Sequence, residues 1–215
     1  GRVSVSFDGP NAEAAPVIRR EPLFERLVAA VEMIREAGIA PHIIPTAHAD
    51  NIDALEEYAA LADSLGATMN FSLLSAPLEN DELAAVIPDD AALARLAQAT
   101  LALSCDGVPV LSDTPVSTRL TTTCGCGAGC AMVSVSADGE VFPCHMMHDE
   151  VFSLGSLLED PGCLAARHAP APRVGELAAC ADCEIRYLCG GGCRARAYFA
   201  TGAVEARDPY CALMR

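Results

Sequence analysis

The stretch TTTCGCGAGCAMVSVSADGEVFPCH, residues 121–145, places four cysteines around a short run that alternates like a β-strand. Ala-Asp-Gly at 137–139 interrupts that run, and Asp-Gly is a preferred sequence for a tight turn. The apolar residues on either side of the turn are Val133, Val135, Val141 and Phe142. Residues 132–143 are therefore predicted to form a β-hairpin.

The hairpin also predicts where its cysteines lie. Because a hairpin brings its two ends together, Cys126 and Cys130 at one end are expected to meet Cys144 at the other. More cysteines follow, first as a Cys-x2-Cys pair and then as a pair four residues apart around three glycines. These later thiols are Cys180, Cys183, Cys189, Cys193 and Cys211.

The distribution of cysteine points to metal chemistry. Ten of the eleven cysteines lie in residues 124–215, and only Cys105 precedes them. The N-terminal residues GRVSVSFDG show no signal peptide, so a cytoplasmic location is predicted, where thiols stay reduced and favour metals over disulfides. Zinc and iron–sulfur clusters are both held by sets of four thiolates, and the spacing alone slightly favours zinc because zinc sites are common.

Composition limits the partners. The net charge of −15 argues against a nucleic-acid partner, which requires clusters of Lys and Arg. The sequence contains no run of 18 apolar residues, so no transmembrane helix and no membrane partner are expected.

The first half of the chain predicts an α/β fold. Strands are expected in VSVSF near the start, at 39–45 and at 67–74, and helices at 22–37, from Ile52 towards Gly66, and at 89–103. Gly38 is expected to end the first helix, and Asn51 or Asp50 to cap the second. Alternating strands and helices with short connections predict parallel βαβ units. A polar stretch near 115–123 predicts two domains, 1–115 and 116–215.

The cysteine spacing resembles a known signature. Cys126-x12-Gly139-x4-Cys144, followed by the five later cysteines, is similar to the seven-cysteine pattern of the SPASM domain. That domain is the C-terminal extension of a branch of radical S-adenosylmethionine (SAM) enzymes, and it carries auxiliary 4Fe–4S clusters. Motifs in the first half resemble the later strands and helices of the family's partial (β/α)6 barrel; they are SFDGP at 6–10, IRR at 18–20, REAGI at 35–39, Asn51 and LGA at 65–67.

The resemblance implies a fold and two sets of cluster ligands. The fold would be an incomplete parallel (β/α) barrel followed by a small cysteine-rich SPASM domain with a β-hairpin and short helices. The ligands of the nearer cluster would be Cys126, Cys144 and Cys193, with Cys130 favoured as the fourth and Cys124 as its alternative. The ligands of the farther cluster would be Cys180, Cys183, Cys189 and Cys211. Cys105 and Cys163 fall outside the signature and are predicted to be small buried apolar residues.

The sequence also departs from the family. The Cys-x3-Cys-x2-Cys loop, which binds the SAM-cleaving cluster, is absent from the 215 residues. The chain is therefore expected to be a C-terminal fragment that is inactive alone, with SAM and a third 4Fe–4S cluster bound by the full-length enzyme. Ala15-Pro16 replace a usual His-Asp pair, and His145 stands where sulfatase-maturing members carry an Asp. Ser6 aligns with a position near the SAM carboxylate, and His145 is a candidate catalytic base.

The resemblance implies an oxidoreductase that matures a ribosomally made peptide by crosslinking or another modification. Its partners would be a peptide or protein substrate and an electron donor for the clusters. One alternative is an anaerobic sulfatase-maturing enzyme, which forms formylglycine. The other is a zinc-binding protein-interaction module without catalytic activity.

Overall fold

The computed structural model describes residues 1–14, 17–19, 21–75, 80–105, 110–112, 125–164 and 171–214. The chain divides into two compact units, one of Gly1–Thr118 with Tyr210–Arg215 and one of Arg119–Pro209. Tyr210 and Leu213 join the first unit because they are buried in its apolar core, whereas the sequence placed them in the second domain. The predicted domain boundary at residue 115 lies outside the described residues.

The first unit alternates strands with helices. Its elements in chain order are β1 (Arg2–Phe7), α1 (Phe24–Glu36), β2 (Ala40–Ala47), α2 (Leu55–Ser64), β3 (Thr68–Leu73), α3 (Asp81–Ala84), α4 (Asp90–Cys105), β4 (Val110–Ser112) and the closing 3-10 turn Cys211–Met214. The strands form one sheet in the order β1-β2-β3-β4, and every neighbouring pair is parallel. Helical crossovers between successive strands enforce this parallel arrangement.

The two faces of this sheet differ in chemistry. Alternate strand residues such as Phe7, Ile43 and Phe71 pack with apolar residues of α1, α2 and α4 into one core. The residues between them point to the opposite face of the sheet and are mostly polar; they include Ser4, Ser6, His42, Thr46, Thr68, Asn70 and Ser72. Helices on one face and polar side chains on the other are the arrangement of an incomplete parallel (β/α) barrel, as predicted.

Most predicted elements of this unit are confirmed, with shifts of one to three residues at their ends. Gly38 follows α1 with a φ of 71°, a conformation that suits glycine, so its predicted role is confirmed. The predicted cap of α2 is wrong, because the helix begins later and Ala54 is the N-cap residue. The short elements α3 and β4 were missed by the sequence analysis.

The second unit is built on a small antiparallel sheet. Its strands are β5 (Ser134–Val135), β6 (Glu140–Phe142) and β7 (Gly155–Ser156), and its helices are α5 (Arg186–Cys189) and α6 (Arg194–Thr201). Four 3-10 turns connect them, at Glu150–Phe152, Pro161–Leu164, Val174–Glu176 and Ala178–Cys180. The β5–β6 pair confirms the predicted hairpin, with Ser134 opposite Phe142 and Val135 opposite Val141. The third strand, β7, was not predicted.

In the part of the chain that the structure describes, no helix combines the length and the apolar character needed to cross a bilayer.

Candidate metal centre and strand-end site

Three of the predicted ligand cysteines meet in the second unit. Cys144 is buried in a small apolar cluster with Ala128, Met147 and Ala195. Cys126 and Cys193 are partly buried and pack against this same cluster. The structure thus brings together thiols that are 18 and 49 residues apart in the chain. These three are the cysteines assigned to the nearer cluster.

Local geometry positions each of the three thiols. Cys144 lies two residues beyond the end of β6, at the base of the hairpin. The turn that follows Cys126 is docked to the same point, because the Gly129 N–H donates a 2.8 Å hydrogen bond to the Pro143 carbonyl. Cys193 is the N-cap residue of α6. The hairpin base, a tight turn and a helix start therefore converge, as the hairpin argument predicted for Cys126 and Cys144.

The surroundings of Cys144 oppose a thiolate unless positive charge is supplied. Burial raises the pKa of the Cys144 thiol, and the neighbouring Cys126 and Cys193 raise it further, while the backbone N–H groups of Met146 and Met147 lower it. The two amides are oriented to stabilise a negative sulfur. Because a bound metal supplies positive charge and deprotonates its thiols, this group of three cysteines fits a metal cluster.

Cys130 and Cys124 are the two candidates for the fourth ligand of this group. Cys130 is exposed, and its N–H donates a 3.1 Å hydrogen bond to the Gly127 carbonyl within the tight turn. Cys124, the alternative, lies outside the described residues. The preference for Cys130 stays a prediction.

The remaining ligand candidates lie in turns and at helix ends. Cys180 and Cys183 share one tight turn, in which the Cys183 N–H donates a 3.1 Å hydrogen bond to the Cys180 carbonyl. Cys189 is the last residue of α5, and all three are partly buried. Cys211 begins the closing 3-10 turn of the first unit. Their assignment to a second cluster stays a prediction.

Within the described residues, no group of three His, Cys, Asp or Glu side chains is arranged to hold a single metal ion. A tetrahedral zinc site has Zn–S bonds of about 2.3 Å and therefore needs sulfurs about 3.8 Å apart. A 4Fe–4S cluster instead takes one thiolate on each of four iron atoms.

Other residues singled out in the sequence have simpler environments. Cys163 is buried, as predicted, and Cys105 ends α4 with its side chain outside the described residues. His148, three residues after the candidate base His145, stacks on Phe142 with ring centroids 4.4 Å apart. His145 is exposed on the segment after Cys144, and its role as a base stays a prediction.

A second group of polar residues lies where the strands of the first unit end. The Asn51 side chain accepts the His48 N–H at 2.8 Å and donates to the carbonyls of Thr46 at 2.9 Å and Asp8 at 3.3 Å. The Tyr58 hydroxyl donates to the same Asp8 carbonyl at 3.0 Å. Asn51 therefore joins the ends of β1 and β2 instead of capping α2.

Charged residues complete this edge of the sheet. The buried Asp8 carboxylate forms an ion pair with the Arg19 guanidinium and accepts the Arg19 backbone N–H at 2.9 Å. Arg19 belongs to the IRR motif, whereas Ala15 and Pro16 lie outside the described residues. Ser6 lies one position before Phe7 on the polar face of β1.

Among the described residues, two buried polar atoms at the strand ends have no hydrogen-bond partner. These are His48 Nε2, just after β2, and Ser75 Oγ, two residues after β3. His48 is only 1% exposed, and its Nδ1 accepts the Asp50 N–H at 3.3 Å, so its ring proton lies on Nε2. Burial lowers the pKa of His48, against the opposing effects of Asp50 and Asp8. A neutral donor at the carboxyl end of a parallel sheet is suited to a ligand with oxygen or nitrogen acceptors.

The sequence analysis missed His48 as a site residue. The signal was present, because polar residues that directly follow parallel strands commonly face a ligand. Asp8 and His48 stand in that position, and Ser75 lies one residue further from its strand.

Comparisons with known proteins agree with this architecture. No family model matches the chain. Mycofactocin maturase MftC of Mycolicibacterium smegmatis is 28% identical over 223 residues, which cover 97% of this chain and 56% of the relative. AdoMet-dependent heme synthase of Methanosarcina barkeri is 30% identical over 242 residues, which cover 98% of this chain and 67% of the relative.

Solved structures show the same fold. The structure of anSMEcpe with bound AdoMet has a TM-score of 0.68 at 16% identity, and the match covers 99% of this chain and 64% of that one. The structure of Streptococcus suis SuiB bound to S-adenosylmethionine has a TM-score of 0.67 at 15% identity, covering 98% and 53%.

An incomplete (β/α) barrel joined to a unit with converging thiols defines a class of SAM-dependent iron–sulfur enzymes. The chain belongs to the radical SAM enzymes that carry a SPASM domain. It spans about half to two thirds of the length of these relatives.

Proposed function

We propose that this chain belongs to a radical SAM oxidoreductase that modifies a ribosomally made peptide and carries two auxiliary 4Fe–4S clusters. The observation that carries the proposal is the meeting of Cys126, Cys144 and Cys193 around one apolar cluster. A relative named as a maturase and a similar fold with a bound peptide, anSMEcpe with Kp18Cys peptide, support a peptide substrate.

The thiols divide into two ligand sets in this proposal. The nearer cluster takes Cys126, Cys144, Cys193 and Cys130, with Cys124 as the alternative to Cys130. The farther cluster takes Cys180, Cys183, Cys189 and Cys211, a set that rests on the family spacing. The chain's own contribution is to bury the thiols and to direct the Met146 and Met147 N–H groups at Cys144. When bound, the clusters supply iron for thiolate ligation and a path for electrons from a donor protein.

The strand ends of the first unit are the proposed place for SAM. His48 presents a buried donor that no described residue accepts, and Ser6 lies near the end of the neighbouring strand β1. The third cluster, which cleaves SAM, would be held by residues other than these 215, since the required motif is not among them. The reducing cytoplasm, where thiols remain available for iron, is the proposed location.

Single cysteine substitutions test the ligand sets. After anaerobic reconstitution, Cys183→Ala should lose roughly half of the iron and keep the spectrum of the nearer cluster. Cys130→Ala should deplete the nearer cluster, while Cys124→Ala should not. If the effects of these two changes are exchanged, Cys124 is the fourth ligand. If neither change matters, the nearer cluster has an iron atom open to substrate.

The product assay tests the substrate class. The full-length protein, reduced and supplied with SAM and with a peptide encoded beside its gene, should convert the peptide to a product of altered mass. The sulfatase-maturing alternative predicts formylglycine in a sulfatase peptide instead. The zinc-module alternative predicts zinc in excess of iron and no product.

A second candidate function is favoured by relatives that are named heme synthases. The relative from Methanosarcina barkeri at 30% identity is named an AdoMet-dependent heme synthase. Under this candidate the same clusters serve the formation of heme, with no peptide substrate. Mass spectrometry of extracted small molecules after anaerobic turnover separates the two, because heme appears in one case and an altered peptide in the other.

A further inference from the structure

A buried ion pair lies directly behind one of the proposed cluster ligands. Asp208 is 5% exposed and Arg196 is 8% exposed. Arg196 donates two hydrogen bonds to the Asp208 carboxylate, from Nη2 to Oδ2 at 2.7 Å and from Nε to Oδ1 at 3.1 Å. This bidentate geometry is the strong form of a carboxylate–guanidinium pair.

The same carboxylate holds the backbone of Cys193. The Cys193 N–H donates to Asp208 Oδ2 at 2.5 Å, so the charged oxygen lies against the peptide group that precedes a ligand thiol. Gly192, the residue before Cys193, also packs tightly against this carboxylate, because a Cβ at this position would lie 2.4 Å from Asp208 Oδ2. Asp208 therefore fixes where the Cys193 backbone sits relative to Cys126 and Cys144.

The negative charge of Asp208 and the positive charge of Arg196 act differently on Cys193. Oδ2 of Asp208 accepts the Cys193 N–H directly, whereas Arg196 donates to the carboxylate. In a buried setting, a negative charge close to a cluster disfavours the reduced state, which carries one more electron. Arg196 offsets this effect in part.

We propose that Asp208 is a positioning residue of the nearer cluster. It holds Cys193 in place and its charge lowers the reduction potential of that cluster, while the positive charge of Arg196 partly offsets this effect. This inference rests on the proposed function, since it requires the nearer cluster. Asp208 also stands three residues before Cys211 in the chain, a proposed ligand of the other set.

The test is a redox titration with charge-neutral substitutions. Cys183→Ala is the background, because it should leave the nearer cluster as the one observed. Asp208→Asn in this background should keep its iron and shift the midpoint to a less negative potential. The expected shift is about 59 mV. For a one-electron couple this corresponds to a tenfold rise in the reduced-to-oxidised ratio at a fixed potential. Arg196→Gln should shift the midpoint in the opposite direction, to a more negative potential.

Glu205→Gln is the matched control, since Glu205 is an exposed carboxylate three residues before Asp208. Its midpoint should equal that of the background. If Asp208→Asn behaves like Glu205→Gln, or if Asp208→Asn and Arg196→Gln shift the potential in the same direction, the inference is overturned. If Asp208→Asn fails to fold, an unchanged or less negative potential in Arg196→Gln overturns it. If the unsubstituted chain takes up no iron, the proposed function itself has failed.

Discussion

Replacing Asn51 with alanine is expected to destabilise the first unit by about 2–4 kcal/mol. The change removes the acceptor for the His48 N–H and a donor to the Thr46 carbonyl, at 2.8 and 2.9 Å. A buried polar group that loses its partner costs about 1–3 kcal/mol. Two such groups together would cost about 2–6 kcal/mol. The lower part of this range applies because Asn51 is only partly buried, so that water can replace some of the lost bonds.

Tyr58→Phe is the matched comparison within the same network. It removes the hydroxyl that donates to the Asp8 carbonyl at 3.0 Å but keeps the ring in the core. The Asp8 carbonyl retains the Asn51 amide at 3.3 Å, so the expected cost is about 1 kcal/mol. Asn51→Ala should therefore be the more damaging of the two changes.

Urea denaturation followed by far-UV circular dichroism gives both differences in the free energy of unfolding. Because the chain has two units, hydrogen exchange of the β1 and β2 amides should accompany it and show that the loss is local to the first unit. An Asn51→Ala protein within 1 kcal/mol of the parent would refute the reasoning. So would a larger loss in Tyr58→Phe.

Three further outcomes are expected. Because burial lowers the pKa of His48, the unfolded chain binds more protons than the folded chain below pH 6.5. The free energy of unfolding should therefore fall as the pH drops from 7 towards 5. Urea titrations at several pH values should show a flatter dependence for His48→Gln. Gly192→Ala should lower the melting temperature more than Gly202→Ala, because both have positive φ (74° and 77°) and cost about 1–2 kcal/mol for that alone, but only the first overlaps Asp208. The reduced 215-residue chain should form no 5′-deoxyadenosine from SAM above background in a chromatographic assay, and robust formation would mean that a cluster site has been misassigned.

The cysteine-rich half was predictable where chemistry is local. Asp138-Gly139 determine the hairpin turn, and the Gly129–Pro143 hydrogen bond ties the turn after Cys126 to the hairpin base beside Cys144. The position of Cys193 beside these two thiols depends on α6 and on the contact with Asp208, which no local sequence pattern predicts. The family resemblance supplied that assignment.

The barrel half was predictable by periodicity but not at its strand ends. Helix and strand positions follow from apolar spacing, whereas the strand β4 has only three residues and gives little periodic signal. Asparagine commonly caps helices, so the sequence around Asn51 predicts a hydrogen bond to α2. The same side chain can equally hydrogen-bond to carbonyls at the ends of β1 and β2. Tyr210 is similar, since its hydroxyl donates to the Leu74 carbonyl 136 residues away.

The most direct test of the account is the metal content of the anaerobically reconstituted chain, measured for Cys144→Ala and Cys163→Ala beside the parent. Both residues are buried cysteines of the second unit, but only Cys144 belongs to the converging group of thiols. The account predicts about eight iron and eight sulfide per chain in the parent and in Cys163→Ala, and about half of that in Cys144→Ala. Zinc in place of iron, or equal iron in the two substituted chains, would contradict it.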